Sequence, residues 1–163
     1  MKTLEIIFGI LLFIVCYTYV GYGIVLWIMV TIKRIFGKKK ELPEIEEWPE
    51  VTLFITAYNE ELVVEDKMKN CLELDYPKDK LHIVWVTDGS TDHTNELLHR
   101  YPEIKIYYHE ARTGKTDAMN HGIRHVKTPF VIFTDANTYI NSEAVKEMMK
   151  RFVNPKVGCV AGE

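Results

Sequence analysis

Between Ile6 and Ile32 the chain contains no aspartate, glutamate, lysine, arginine or histidine. An uncharged run of that length is foreign to a soluble surface, and it exceeds the roughly 20 apolar residues that carry a helix across a bilayer. Gly9, Thr18, Gly21, Gly23 and Thr31 interrupt it without adding charge. A cleaved signal peptide needs only about 7 to 15 apolar residues before a small-residue cleavage site, so the run reads as a spanning helix over residues 4–33. Cysteine is scarce as well. Cys16, Cys71 and Cys159 form no C-x-x-C pair, which removes the commonest zinc and redox motifs and leaves reduced packing residues in a span, a helix and a strand. Low-complexity tracts and internal repeats are absent too.

Charge is present, but it is divided. Residues 1–40 hold six Lys/Arg against one acid, a balance of +5, which leaves 14 Lys/Arg against 22 acids, or −8, for residues 41–163. A soluble part that acidic is a poor polyanion binder, so nucleic acid is not an expected partner. Lys33, Arg34, Lys38, Lys39 and Lys40 follow the span directly, whereas Lys2 stands beside Glu5 ahead of it. The positive-inside rule then places everything after the span in the cytoplasm. Residues 34–50 carry two prolines and a run of glutamates. They read as a cytoplasmic linker in which Leu42, Ile45 and Trp48 touch the membrane or the following domain.

From Val51 onward, short β-branched or aromatic runs alternate with segments of helical period, the pattern of βαβ units and a mainly parallel sheet. Strands are expected at 51–57, 81–87, 104–108, 130–135 and 157–161. Val64, Met68 and Cys71 mark the inner face of a first helix. Leu97, Leu98 and Tyr101 mark a second, capped by Ser90 or Thr91. Ala118, Met119, Gly122, Ile123 and Val126 form one later apolar stripe, and Ala144, Val145, Met148, Met149 and Phe152 form another. With the fourth strand beside the first, the strand order is 3-2-1-4, and its switch point lies between Tyr58 and Asp135.

Three of these strands end in polar groups, at AYNEE, VTDGSTDHT and FTDANTYI. Open α/β sheets bind ligands in the crevice beyond the carboxyl ends of their strands. Asp88, before Gly89, can accept hydrogen bonds from a base N–H or a ribose hydroxyl, and it can equally serve as a turn aspartate. Asp135 and Asn137 offer oxygen ligands to Mg²⁺ or Mn²⁺, with a strand-end turn as the plainer reading. Lys115, at a helix start in ARTGKTDAMNHG, can meet phosphate beside free backbone N–H groups.

Two other chemistries fail on single positions. Gly114-Lys115-Thr116 resembles the end of a phosphate-binding loop, but G-x-x-x-x-G-K-[ST] requires glycine where His109 stands. His121 and His125 share a helix face as zinc ligands can, yet Gly122 replaces the glutamate of H-E-x-x-H, which leaves a solvated face. A serine or cysteine nucleophile elbow is missing.

Taken in order, AYNEE, VTDGSTDHT, RTGKTDAMNHG, FTDANTYI and FVNPKVGCVAGE closely resemble the family 2 glycosyltransferases of the GT-A fold, in particular the membrane-bound polysaccharide synthases. The resemblance covers about residues 50–163. It implies a Rossmann-like GT-A sheet, incomplete here and preceded by one transmembrane helix. It also implies a nucleotide-sugar donor, usually UDP-linked, transferred with inversion to a glycan or lipid-linked acceptor. Residue by residue, it implies that Ala57, Tyr58 and Glu60 lie around the nucleotide, that Asp88 reads uracil, that Lys115 lies near the nucleotide and that Asp135 with Asn137 holds the metal. Asn137 stands where the family's D-x-D motif has its second acid. The family's general base and its Q-x-x-R-W motif match nothing up to Glu163, so the sequence is expected to be the N-terminal part of a longer enzyme. The alternative is a membrane-anchored nucleotide-sugar-binding or scaffold subunit that does not turn over.

Overall fold

The structure, a computed structural model, describes residues 2–36 and 43–162. Lys38, Lys39 and Lys40 of the basic cluster, Leu42 of the linker and the terminal Glu163 lie outside the described residues. The chain divides into two units, one on each side of residue 41.

The N-terminal unit is one continuous helix, Lys2–Phe36, long and apolar enough to cross a membrane. It comprises α1 (Lys2–Cys16), a π-helical turn (Tyr17–Gly21) and α2 (Tyr22–Phe36). Its threonines do not interrupt it. The hydroxyls of Thr18 and Thr31 donate to the carbonyls of Ile14 and Trp27 at 2.8 and 2.7 Å, which satisfies them within the helix.

The second unit is a four-stranded, wholly parallel sheet: β1 (Val51–Ala57), β2 (Leu81–Asp88), β3 (Lys105–His109) and β4 (Phe130–Asp135). Its order is β3-β2-β1-β4, as the sequence pattern predicts. The helices are α3 (Val64–Leu72), α4 (Thr94–Leu98), α5 (Lys115–Ile123) and α6 (Ala144–Phe152). Alternation along β1 and β2 feeds two cores. Leu53, Ile55, Ile83 and Trp85 face the layer that holds Met68, Leu98 and Met149, whereas Phe54, Val84 and Val86 face Ala118 of α5. Both faces of the central strands are therefore covered, and their middles, 53–55 and 83–86, read as continuous apolar runs. Gly122 lets α5 lie close against the sheet: a Cβ there would lie 2.4 Å from Val86 Cγ2 and 2.7 Å from Phe54 Cζ.

Three expectations are corrected. Residues 157–161 are not a strand but irregular chain. Apolar residues form a strand only against a partner, and here the edge of β4 away from β1 pairs with none of the described residues. Cys159 is accordingly exposed rather than packed. The second helix begins at Thr94, and neither Ser90 nor Thr91 caps it. Those side chains turn to Asn59 instead: the Asn59 N–H donates to Ser90 Oγ at 3.1 Å and Asn59 Nδ2 donates to Thr91 Oγ1 at 3.4 Å, while Asn59 Oδ1 accepts from the Thr91 backbone N–H at 2.8 Å. In the linker, Ile45 and Trp48 pack on the domain core, and the Trp48 ring stands edge-on to Tyr76 at 5.6 Å.

Candidate functional site

Beyond the carboxyl ends of β1, β2 and β4 lies a cleft of about 320 Å³. It is lined by Ala57 at the end of β1, by Tyr58 and Glu60 from the loop that follows, by Asp88 at the end of β2, by Asp135 at the end of β4 and by Asn137 in the turn after it. Lys115, the first residue of α5, lines it too. All seven residues singled out from the sequence therefore share one cavity, although 80 positions separate the first from the last. The strand order explains why. β1 sits between β2 and β4, so three strand ends reach one rim.

Asp88 is 5% exposed, and its carboxylate is already engaged. Oδ1 accepts the N–H of Thr113 at 2.9 Å and its hydroxyl at 3.2 Å, and Oδ2 accepts the N–H of Gly114 at 2.7 Å. Burial works upward on its pKa, but these hydrogen bonds and the nearby His109 more than offset it, so the carboxyl is held below its ordinary value. Asp88 thus organises the loop that starts α5 and keeps only part of its accepting capacity for a ligand. Gly89 makes this possible. Its φ is +66°, and a Cβ there would stand 2.6 Å from the backbone nitrogen of Arg112.

The loop after β1 is tied to the loop after β2. Glu60 N–H donates to Thr94 Oγ1 at 2.8 Å, Glu61 N–H donates to Asp92 Oδ2 at 3.1 Å, and Glu61 Oε2 accepts from the His93 N–H at 3.0 Å. These bonds fix Tyr58 and Glu60 at the rim. Burial first, then the negative charges of Asp92 and Asp135, raise the Glu60 pKa. A pocket in which carboxylates penalise one another favours a cation.

Lys115 supplies one, donating to Asp135 Oδ1 at 2.5 Å. Both partners are more than half exposed, so the pair is worth only about 0–1 kcal/mol and opens readily to a phosphate or a metal ion. Asp135 and Asn137 present only oxygen donors, the type that Mg²⁺ and Mn²⁺ select. Among the described residues no three His, Cys, Asp or Glu side chains gather as a metal site. The residues therefore fit an ion held by one carboxylate together with water and a ligand's phosphates.

Three residues were missed from sequence. Arg112 lines the cleft and lays its guanidinium 3.9 Å from the Tyr58 ring centroid. Thr113 bonds Asp88, and Lys67 is buried beneath β4. Arg112 and Thr113 carry no spacing signal. Lys67 does, because it falls on the apolar stripe of Val64, Met68 and Cys71.

Residues 52–163 match the family described as Glycosyl transferase family 2. The chain belongs to that family. This glycosyl transferase family 2 chain is 33% identical over 136 residues to a poly-beta-1,6-N-acetyl-D-glucosamine synthase of Staphylococcus aureus, covering 80% of this chain and 32% of the relative. The synthase of the same name from Staphylococcus epidermidis is 31% identical over 147 residues, 83% of this chain and 35% of the relative. The chain thus spans about a third of the length of the curated relatives it matches. Among solved structures it is similar to the mannosyltransferase PcManGT from Pyrobaculum calidifontis in complex with GDP-Man and Mn²⁺. There the TM-score is 0.72 and the identity 30%, over 91% of this chain and 46% of the other. TarS 1–349 of Staphylococcus aureus in complex with UDP-GlcNAc gives a TM-score of 0.59 and 25% identity, over 65% of this chain and 31% of TarS. The family 2 domain therefore has the GT-A-like parallel sheet that its motifs imply.

Proposed function

We propose that the cleft binds the nucleotide diphosphate of a sugar donor, UDP-linked, and that the family 2 domain delivers the sugar with inversion to a glycan or lipid-linked acceptor. The convergence of Tyr58, Glu60, Asp88, Lys115, Asp135 and Asn137 on one cavity carries this reading. Asp88, with Ala57 and Tyr58 beside it, takes the base and ribose. Lys115 exchanges Asp135 for a phosphate oxygen. Asp135 and Asn137 would hold Mg²⁺ or Mn²⁺, whose charge would help to neutralise a diphosphate leaving group. The backbone N–H groups at the start of α5 add fixed positive potential on the same side. None of the cleft residues is assigned as the general base of inverting transfer.

The nucleotide and its metal are supported by the named ligands of the similar proteins, GDP-Man with Mn²⁺ in one and UDP-GlcNAc in the other. Within this reading residues 4–33 span the membrane, 34–50 link, and 51–163 form the donor-binding part of the domain. Lys33 and Arg34 in the last turn of α2 orient that part to the cytoplasm.

Calorimetric titration of the detergent-solubilised protein with UDP, ADP and GDP, each with and without Mn²⁺, tests the reading. UDP-selective, metal-enhanced binding is expected. Asp135→Asn should abolish the enhancement, while the helix Lys2–Phe36 remains membrane-inserted. Equal affinities with and without Mn²⁺ in wild type and variant alike would remove the metal role, and a preference for GDP would replace the uridine donor with a guanosine one.

A further inference from the structure

Helix α3 carries a lysine where its apolar stripe should be unbroken. Val64, Met68 and Cys71 are fully buried, and Lys67, on the same face, is 1% exposed. An ammonium taken out of water persists only where hydrogen bonds repay its desolvation. The Lys67 Nζ donates to Thr134 Oγ1 at 3.1 Å and to the carbonyl oxygen of Thr138. Thr134 immediately precedes Asp135, and Thr138 immediately follows Asn137. One cation therefore grips both ends of the turn that carries Asp135 and Asn137. The turn is itself closed by the Thr138 N–H donating to the Asp135 carbonyl at 3.3 Å. One helical turn further on, Asn70 adds a reciprocal pair: its Nδ2 donates to the Ile140 carbonyl, and its Oδ1 accepts from the Ile140 N–H, both at 2.8 Å. Burial lowers the Lys67 pKa, opposed only in part by electrostatic attraction to Cys71 and Asp135.

We propose that Lys67 is a positioning residue for the Asp135–Asn137 turn, with its buried ammonium tying both ends of the turn to α3. The inference rests on the donor-site reading and goes beyond it. A lysine kept only to fill space is replaceable by methionine, which is unbranched, uncharged and one heavy atom shorter. A positioning lysine is not, because methionine cannot bond Thr134 and Thr138 at once.

The test measures the UDP dissociation constant with and without Mn²⁺ for wild type, Lys67→Met and Lys67→Arg. The Mn²⁺ electron paramagnetic resonance signal of each UDP-loaded protein is recorded alongside. Lys67→Met should leave metal-free UDP affinity unchanged and lose most of the metal-dependent gain, as outer-shell partners of metal ligands typically cost about 10- to 100-fold in metal affinity. Lys67→Arg keeps the charge and should recover part of the gain. A folded Lys67→Met protein with the wild-type gain and the wild-type Mn²⁺ spectrum overturns the proposal. If that variant fails to fold, Thr134→Val removes one acceptor at nearly constant volume. A reduced gain there supports the proposal, and a wild-type gain overturns it. A wild-type protein that binds UDP with no metal-dependent gain overturns the proposal together with the metal role, and one that binds no UDP removes the donor-site reading itself; both outcomes are visible before any variant is made.

Discussion

Replacing Asp88 with asparagine changes one oxygen to an amino group and removes the charge, at a position where three donors converge. Whichever way the amide is turned, its NH₂ faces either the Gly114 N–H at the 2.7 Å site or the Thr113 N–H at the 2.9 Å site. One backbone donor loses its acceptor, and the surviving bond loses its charge assistance. A hydrogen bond to a charged group is worth about 1.5–3 kcal/mol, and a buried unpaired donor costs about 1–3 kcal/mol. The Thr113 hydroxyl can rotate to accept from the new amide, which returns part of the loss. A net destabilisation of about 3 kcal/mol follows, or a fall in Tm of roughly 10 °C for a domain of this size. The assay is thermal unfolding of the solubilised protein, followed by circular dichroism across pH. The Asp88 pKa is depressed in the folded state. Its stabilisation is therefore complete above the ordinary aspartate value of about 3.9 and is lost as pH falls through the lower, folded value. Wild-type Tm should thus drop more steeply than that of Asp88→Asn below about pH 4. A variant that melts within about 1 °C of wild type, with a parallel pH profile, would refute the argument that this carboxylate organises the loop.

Gly122→Ala forces a Cβ against Val86 and Phe54 and should cost about 1–3 kcal/mol by overpacking, measured as a lower midpoint of denaturant unfolding. Mn²⁺ titrated without nucleotide should show no saturable binding, because a single carboxylate and an amide leave most of the coordination sphere to phosphate and water. Arg112→Ala removes the cation over Tyr58. An exposed contact of that kind is worth about 0.5–1 kcal/mol, so its effect should appear in nucleotide affinity and leave Tm close to wild type.

The strand order and the shared cleft were legible in the sequence because both depend on local periodicity and on where apolar runs stop. β1, β2 and β4 announce themselves as apolar runs, and their terminal Ala57, Asp88 and Asp135 must then lie side by side. Residues 157–161 misled for a related reason: strand propensity was present, but a strand is a property of two chains of hydrogen bonds, and no described partner supplies the second. The Ser90 and Thr91 cap failed because Asn59, 31 positions away from Ser90, competes for the same groups. Long-range bonds of that kind leave no local pattern. Arg112 was hidden likewise, because its place over Tyr58 depends on how closely Gly89 lets two loops approach. Lys67 does leave a local sign. A charge on an apolar stripe marks either an error in the helix phase or a buried cation with partners, and the partners lie on another element.

The parallel order also has a consequence for how the chain is made. Val51 of the central strand pairs on one side with Leu81 and on the other with Phe130. During synthesis at about 5–20 residues per second, β1 waits on the order of ten seconds with one flank bare before β4 leaves the ribosome. Through that interval a strand with Val51, Leu53, Phe54 and Ile55 uncovered presents an open ladder, the circumstance in which nascent chains aggregate or recruit chaperones. A pause in translation between β2 and β4 would lengthen the exposure, so the yield of this protein should respond to codon choice in that stretch.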